Sequence, residues 1–373
     1  MMNRFSLFGM SPTKHQQFTS TPIVRSDEDS IKASDLLKGQ KLGLLVFACI
    51  LVVCIIFQPK ILIAASPNNP DIQNQFNQVL QGTVEQEFKV GLALGAGAAK
   101  GFAHIGVLKA LEEAGVRVDM IAGSSMGAII GGGYAAGLSV EELSNVALNS
   151  DWLDVLNLLD PVFPTRGFID GKKIQRFLDN LYGRKNIEDL GLPFAATTAD
   201  ILNGDLYIMR EGSLANAVRA SSSIPIVFNP LANGELVLVD GGMIDPVPID
   251  VVRSMGADYI IAVNVLAFPE GKHPEKSFEY LNANDLKNSK SRWRIPKANE
   301  AWYTAGKPNL AEIAHETVIL SMALIAANQV ELGQPDLLIN VSTGLAAWNF
   351  LEAEIAISKG YDETQKKLEL LKN

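Results

Sequence analysis

Cysteine is almost absent from this sequence. Its two cysteines, Cys49 and Cys54, share one apolar run, and no other residue of the chain carries a thiol. Disulfide frameworks and cysteine-based zinc sites are therefore excluded. Histidine is nearly as scarce. His15, His104, His273 and His315 show no metal-binding spacing, so no metal is expected, and the chemistry read below calls for no cofactor. An excess of positive charge is missing too: 32 Lys and Arg stand against 41 Asp and Glu. That balance lacks the basic footprint of a nucleic-acid partner. With 31 Gly and 17 Pro in 373 residues, collagen-like and low-complexity classes are also ruled out.

What is present is unevenly spread. Residues 1–60 hold seven basic and four acidic side chains, and the remainder holds 25 basic and 37 acidic ones. Between the two lies an uncharged apolar run, 42–57. As a helix, sixteen residues reach about 24 Å, against roughly 30 Å of bilayer hydrocarbon. Continuing into residues 61–65 supplies the missing length, with Lys60 able to snorkel. A transmembrane or signal-anchor segment is expected over 41–65. Arg25, Lys32, Lys38 and Lys41 precede it and Lys60 alone follows, so the positive-inside rule leaves the N-terminus cytoplasmic. The main domain then lies across the membrane, which in a Gram-negative bacterium is the periplasm.

Residues 1–40 read as a polar flexible tail and 66–87 as a linker carrying a short helix. From residue 88 the texture changes. Strand candidates at 89–94, 118–122, 194–200, 205–209, 236–239, 259–265 and 335–341 alternate with helical patterns at 101–114, 126–136, 311–331 and 351–371. This alternation predicts an α/β fold, a mostly parallel sheet with helices on both faces. Its core spans 88–267, a polar insertion or lid occupies 268–310, and residues 311–373 complete the domain.

Three motifs carry chemistry. Gly123-Ser124-Ser125-Met126-Gly127 fits G-x-S-x-G between a strand and a helix candidate, the setting of a nucleophile elbow. Gly123 and Gly127 remove Cβ atoms where the chain turns, and the helix N-terminus favours charge developing at an attacked ester. Gly95-Ala96-Gly97-Ala98-Ala99-Lys100-Gly101 also joins a strand to a helix, and its backbone N–H groups can form an oxyanion nest. Rival phosphate readings of this loop fail on spacing. Lys100 stands where a dinucleotide fingerprint needs a small residue, and Lys100-Gly101 is not the Gly-Lys-Ser/Thr of a P-loop. Third, Asp240-Gly241-Gly242 ends an apolar run, where a carboxylate can take a proton from a nucleophilic hydroxyl.

Together and in this order, the motifs resemble the patatin-like phospholipase family, particularly its bacterial, neuropathy-target-esterase-like branch. The likeness runs through LALGAGAAKGFAHIGVLKALEEAG, IAGSSMGAIIGGGYAAG, RASSSIPIVFNPL and LVDGGMIDPVPID, and more weakly through PDLLINVSTGLAAWNF. It implies a three-layer α/β/α sandwich, a lipid or acyl-ester substrate, and a Ser125–Asp240 dyad without histidine. The loop Gly95, Ala96, Gly97, Ala98, Lys100 and Gly101 would be the oxyanion hole. The family's loop usually carries three consecutive glycines, whereas here Ala96-Gly97-Ala98 stands in their place. A Cβ strains any position that needs positive φ, so a catalytically weak lipid-binding protein is the alternative from another class. A second alternative is a triad with His273 or His315, in the order Ser125, Asp240, His. His104 reads as packed or locally hydrogen-bonded, and Asp245, where relatives often have Asn, as a turn residue before Pro246.

Overall fold

The computed structural model describes residues 69–149, 158, 160–163, 167–268 and 310–372. The tail, the expected membrane segment 41–65 and nearly all of the polar insertion lie outside these residues. Among the described residues no helix is long and apolar enough to cross a membrane.

In chain order the elements begin α1 (Pro70–Leu80), β1 (Val90–Leu94), α2 (Ala103–Glu113), β2 (Met120–Ser124), α3 (Met126–Ala135), α4 (Val140–Leu148), β3 (Gly167–Ile169) and α5 (Lys172–Leu181). Next come β4 (Phe194–Asp200), β5 (Leu206–Met209), α6 (Leu214–Ser221), β6 (Ile226–Phe228), β7 (Leu231–Asn233), β8 (Leu236–Asp240), α7 (Ile249–Ser254) and β9 (Tyr259–Asn264). The chain closes with α8 (Leu310–Gly333), β10 (Leu337–Asn340) and α9 (Ala353–Lys372). Part of the segment read as a linker thus belongs to the core. In α1, Phe76 is fully buried and stacks on Tyr259 with ring centroids 4.1 Å apart.

The unbroken apolar runs of β1, β2 and β9 are buried along their whole length, as strands covered on both faces must be. Alternation then sorts their side chains. Val90, Leu92, Leu94, Ile121, Ile261 and Val263 pack into one cluster with α2, α3 and α9. Ala93, Met120, Ala122, Ile260 and Ala262 face the other way, onto Val251 and Val252 of α7 and Ala326 of α8. Helices therefore cover both faces. On the first face α9 lies against α2 so closely that a Cβ on Gly106 would overlap the Ile357 carbonyl, and one on Gly360 the Ala103 carbonyl.

The sheet order is β10-β9-β1-β2-β4-β8-β7, with β5 also pairing β4. From β10 to β4 every pairing is parallel. Beyond it the sheet turns antiparallel, at β4–β5, β4–β8 and β7–β8. The sheet is mixed where a mostly parallel one was predicted, and for β4–β5 and β7–β8 the reason is connection length. Only Gly234 and Glu235 join β7 to β8, and only residues 201–205 join β4 to β5. Such links allow hairpins but no crossover.

Candidate active site

Sheet register brings the two motif side chains together. β5 occupies one edge of β4 at residues 196–199, so β2 and β8 must share the other edge. Along that edge Ser124 of β2 sits opposite Thr197, and Asp240 of β8 opposite Thr198. Asp240 therefore lies where β2 ends and the chain turns away at Ser125.

The turn itself is tight. Ser125 adopts φ 53 and ψ −120 before α3 begins at Met126. Few L-residues hold such a conformation, which costs of order 1–3 kcal/mol. Neighbouring glycines make it sterically possible. A Cβ on Gly123 would stand 2.6 Å from Ala128 Cα, and one on Gly127 would overlap the Leu94 carbonyl. Ser125 Oγ donates to Asp240 Oδ2 at 2.6 Å, and Gly242 N donates to Asp240 Oδ1 at 2.8 Å. Ser125 and Asp240 are only 3% and 1% exposed. Burial pushes the Asp240 carboxyl up to about 7, against the two hydrogen bonds that favour its charged form. A carboxylate so poised can take the hydroxyl proton near neutral pH.

The glycine-alanine loop lies alongside. Gly95 N donates to Val263 O, Ala96 N to Pro246 O, Ala99 N to Ala347 O and Lys100 N to Gly97 O. The N–H groups of Gly97 and Ala98 have no acceptor among the described residues, and neither does that of Met126 at the start of α3. A single 3₁₀ turn, Ala98–Phe102, leads into α2. Of the two alanines that depart from the glycine pattern, Ala98 is the one in the left-handed region, at φ 47. That conformation costs an L-residue about 1–2 kcal/mol. Both alanines are buried in one apolar cluster with Ile319, Met322 and Ala323 of α8 and with Ala347. Met322 closes the same cluster from above the Asp240 turn, where a Cβ on Gly242 would overlap its methyl group. Gly101 meets Met126 in the same way, while a Cβ on Gly241 would overlap the Thr197 carbonyl.

Lys100 is half-buried, and burial lowers its pKa while the charge of Glu316 on α8 opposes the shift. His104 is fully buried, with Nε2 2.7 Å from the Gly95 carbonyl oxygen. A carbonyl only accepts, so Nε2 carries the proton and ties α2 to the start of the loop. Burial lowers the His104 pKa to about 4, against the Gly95 bond, which keeps the ring neutral. Asp245 is more than a turn residue. It is 1% exposed, accepts a 2.9 Å hydrogen bond from Gln329 Nε2 of α8, and burial raises its pKa well above the carboxylate range. His273 lies outside the described residues, and of His315 only its place on α8 is described. Among the described residues no group of three metal-ligating side chains gathers.

Sequence reasoning passed over three residues behind the pair. Ser221 Oγ accepts from Ser125 N at 2.9 Å, Ser223 O accepts from Asp240 N at 3.0 Å, and Arg219 is buried beside them. The Arg219-Ala220-Ser221-Ser222-Ser223 string was visible, but nothing in it distinguishes a hydroxyl that holds a backbone N–H from a helix-end serine.

Residues 92–253 match the family model described as Patatin-like phospholipase. An uncharacterized NTE family protein of Mycobacterium tuberculosis is 38% identical over 198 residues, covering 52% of this chain and 55% of that protein. Patatin-like phospholipase domain-containing protein 6 of Homo sapiens is 40% identical over 184 residues, 47% of this chain and 13% of its own length. The neuropathy target esterase sws of Drosophila melanogaster is 34% identical over 206 residues, 53% of this chain and 14% of its own. The chain thus spans about half or less of the curated relatives it matches. Among solved structures, VipD from Legionella pneumophila aligns with a TM-score of 0.48 and 14% identity, over 76% of this chain and 67% of that one.

Proposed function

We propose, from the match of residues 92–253 to the patatin-like phospholipase family model, that this chain is a serine lipid acyl hydrolase working through Ser125 and Asp240. The observation that carries the reading is the direct 2.6 Å hydrogen bond from Ser125 Oγ to a buried carboxyl, with no imidazole between them. As Oγ attacks the ester carbon, its proton passes to Asp240 Oδ2 and the carbonyl electrons move onto oxygen. The N–H groups of Gly97, Ala98 and Met126 are the donors available to that oxyanion. Collapse expels the alcohol, which takes the proton from Asp240 and leaves acyl-Ser125. Water, deprotonated by Asp240, then releases the fatty acid and restores the hydroxyl.

The relatives' names, a phospholipase domain-containing protein and an esterase, support an ester substrate of the phospholipid class, and a lysophospholipid is proposed beside it. The segment 41–65 is the proposed tether, with the N-terminus cytoplasmic and the hydrolase domain across the membrane. A reporter enzyme active only in the cytoplasm, fused after Asn373, should then be silent. A second reading, a lipid-binding protein with little catalysis, draws on the left-handed backbone at Ala98. A fluorophosphonate probe separates the two. Labelling that vanishes in Ser125→Ala, with fatty acid released from a phospholipid and lysophospholipid panel, supports the hydrolase. Silence of folded wild-type protein leaves the binding reading.

A further inference from the structure

We infer that the C-terminal end of α6, locked by Arg219, is the bracket that sets the distance between Ser125 and Asp240, an assignment that rests on the hydrolase reading. Two hydrogen bonds define it. Ser221 Oγ takes the Ser125 N–H at 2.9 Å, and the Ser223 carbonyl takes the Asp240 N–H at 3.0 Å. The nucleophile and its base come from two different strands, yet one three-residue segment holds the backbone of each. Each bond fixes a main-chain nitrogen close to the side chain that must act. A shift of this segment therefore moves both partners.

Arg219 keeps the segment in place. Its guanidinium is buried, and among the described residues its hydrogen bonds all go to uncharged oxygens, with the charges of Asp160 and Asp170 also acting on it. Nη1 donates to Ser223 Oγ at 2.6 Å, Nη2 to the Asp170 and Asn229 carbonyls at 3.1 Å each, and Nε to the Gly171 carbonyl at 3.3 Å. Its Cζ also lies 5.2 Å from the centre of the Phe228 ring. The fork thus joins α6 to one end of the parallel β3–β6 pair, at Asp170 after β3 and Asn229 after β6. Ser223 Oγ in turn donates to the Arg219 carbonyl at 2.9 Å, closing a ring within the last turn of the helix. A lysine keeps the charge but cannot supply this planar set of donors. Arg219, Ser221 and Ser223 are accordingly positioning residues, which act through Ser125 and Asp240 without touching substrate.

The test compares full-length wild type with Ser221→Ala and Arg219→Lys. Three quantities are read: the fluorophosphonate labelling rate per folded molecule from pH 5 to 9, amide hydrogen exchange at Ser125 and Asp240, and the melting temperature. Labelling should slow by about 10²-fold in each variant, the cost of a misplacement near 1 Å. The Ser125 amide should exchange faster in Ser221→Ala and the Asp240 amide faster in Arg219→Lys. In Arg219→Lys the acid limb of the pH profile should also move upward, because a lengthened Ser125 hydrogen bond no longer favours the charged carboxylate. A merely structural role would lower the melting temperature and leave that limb where it was. Labelling within about threefold of wild type in both variants overturns the bracket. An unlabelled wild type overturns the hydrolase reading instead. In that case, unchanged exchange at both amides in the variants overturns the bracket as well.

Discussion

Two turns lead from parallel strands into helices beside the site, and each places an L-residue at positive φ: Ser125 at 53° after β2 and Ala98 at 47° after β1. The means of holding them differ. Ser125 is fixed at both ends by hydrogen bonds, its N–H to Ser221 and its Oγ to Asp240, and by glycines on either side. Ala98 offers a methyl group, and what holds it is contact with α8 and Ala347. On the hydrolase reading, strain at the elbow aims a reacting atom. Strain in the loop is offset by burying a methyl against a helix, while the donor that matters is backbone. The first turn should therefore respond to substitution in an all-or-none manner and the second by degrees.

The largest effect that can break this contrast is at the pair itself. On the hydrolase reading, Asp240→Asn removes the proton acceptor and should lower ester turnover by roughly 10⁴-fold or more in a hydrolysis assay. Next comes Gly127→Ala, whose methyl group would collide with the Leu94 carbonyl. Urea denaturation should show a loss of about 1–3 kcal/mol, with labelling lost as the elbow opens.

Acid–base behaviour sharpens the same comparison. With the Asp240 carboxyl at about 7, kcat/KM should rise about tenfold per pH unit below pH 7 and level off above it. Stability runs the opposite way. A carboxyl with a raised folded pKa is protonated in both states at low pH, and its contribution is lost as pH climbs from the ordinary carboxylate range through about 7. Melting curves of Asp240→Asn should therefore gain on wild type over that window, by up to about 1.4 kcal/mol per pH unit. The smallest effect belongs to Ala98→Gly. Relief of about 1–2 kcal/mol of left-handed strain opposes the lost methyl contact and the added freedom of glycine, so stability should stay within about 1 kcal/mol of wild type. A loss above about 3 kcal/mol would mean that packing at the loop outweighs its backbone.

Much of this arrangement was legible beforehand because it is local. Gly123, Ser125 and Gly127, the loop from Gly95 to Gly101, and Asp240 with its glycines each announce a turn whose steric demands are written within a few residues. The strands β1 and β9 were readable for the same reason, as apolar runs buried on both faces. Long-range facts were not readable. Nothing in Leu-Val-Leu-Val-Asp at 236–240 gives the direction of the strand, which is set by the two-residue link from β7. The three-residue strands β3, β6 and β7 are too short for a period to emerge. Helix α4 was missed although its Ser139–Glu142 capping box is a local signal. Ser221 and Arg219 act across 96 and 48 residues of sequence, on Ser125 and Gly171. Their roles become visible only once the sheet register has brought β2 and β8 to one edge of β4.

Whether Asp240 alone activates Ser125 can be read from mass-spectrometric mapping of fluorophosphonate adducts. Wild type should carry a single adduct on Ser125, forming faster as pH rises to about 7, absent in Asp240→Asn and retained in His273→Ala and His315→Ala. An adduct that forms undiminished in Asp240→Asn, or that disappears with either histidine, would contradict activation by Asp240 alone.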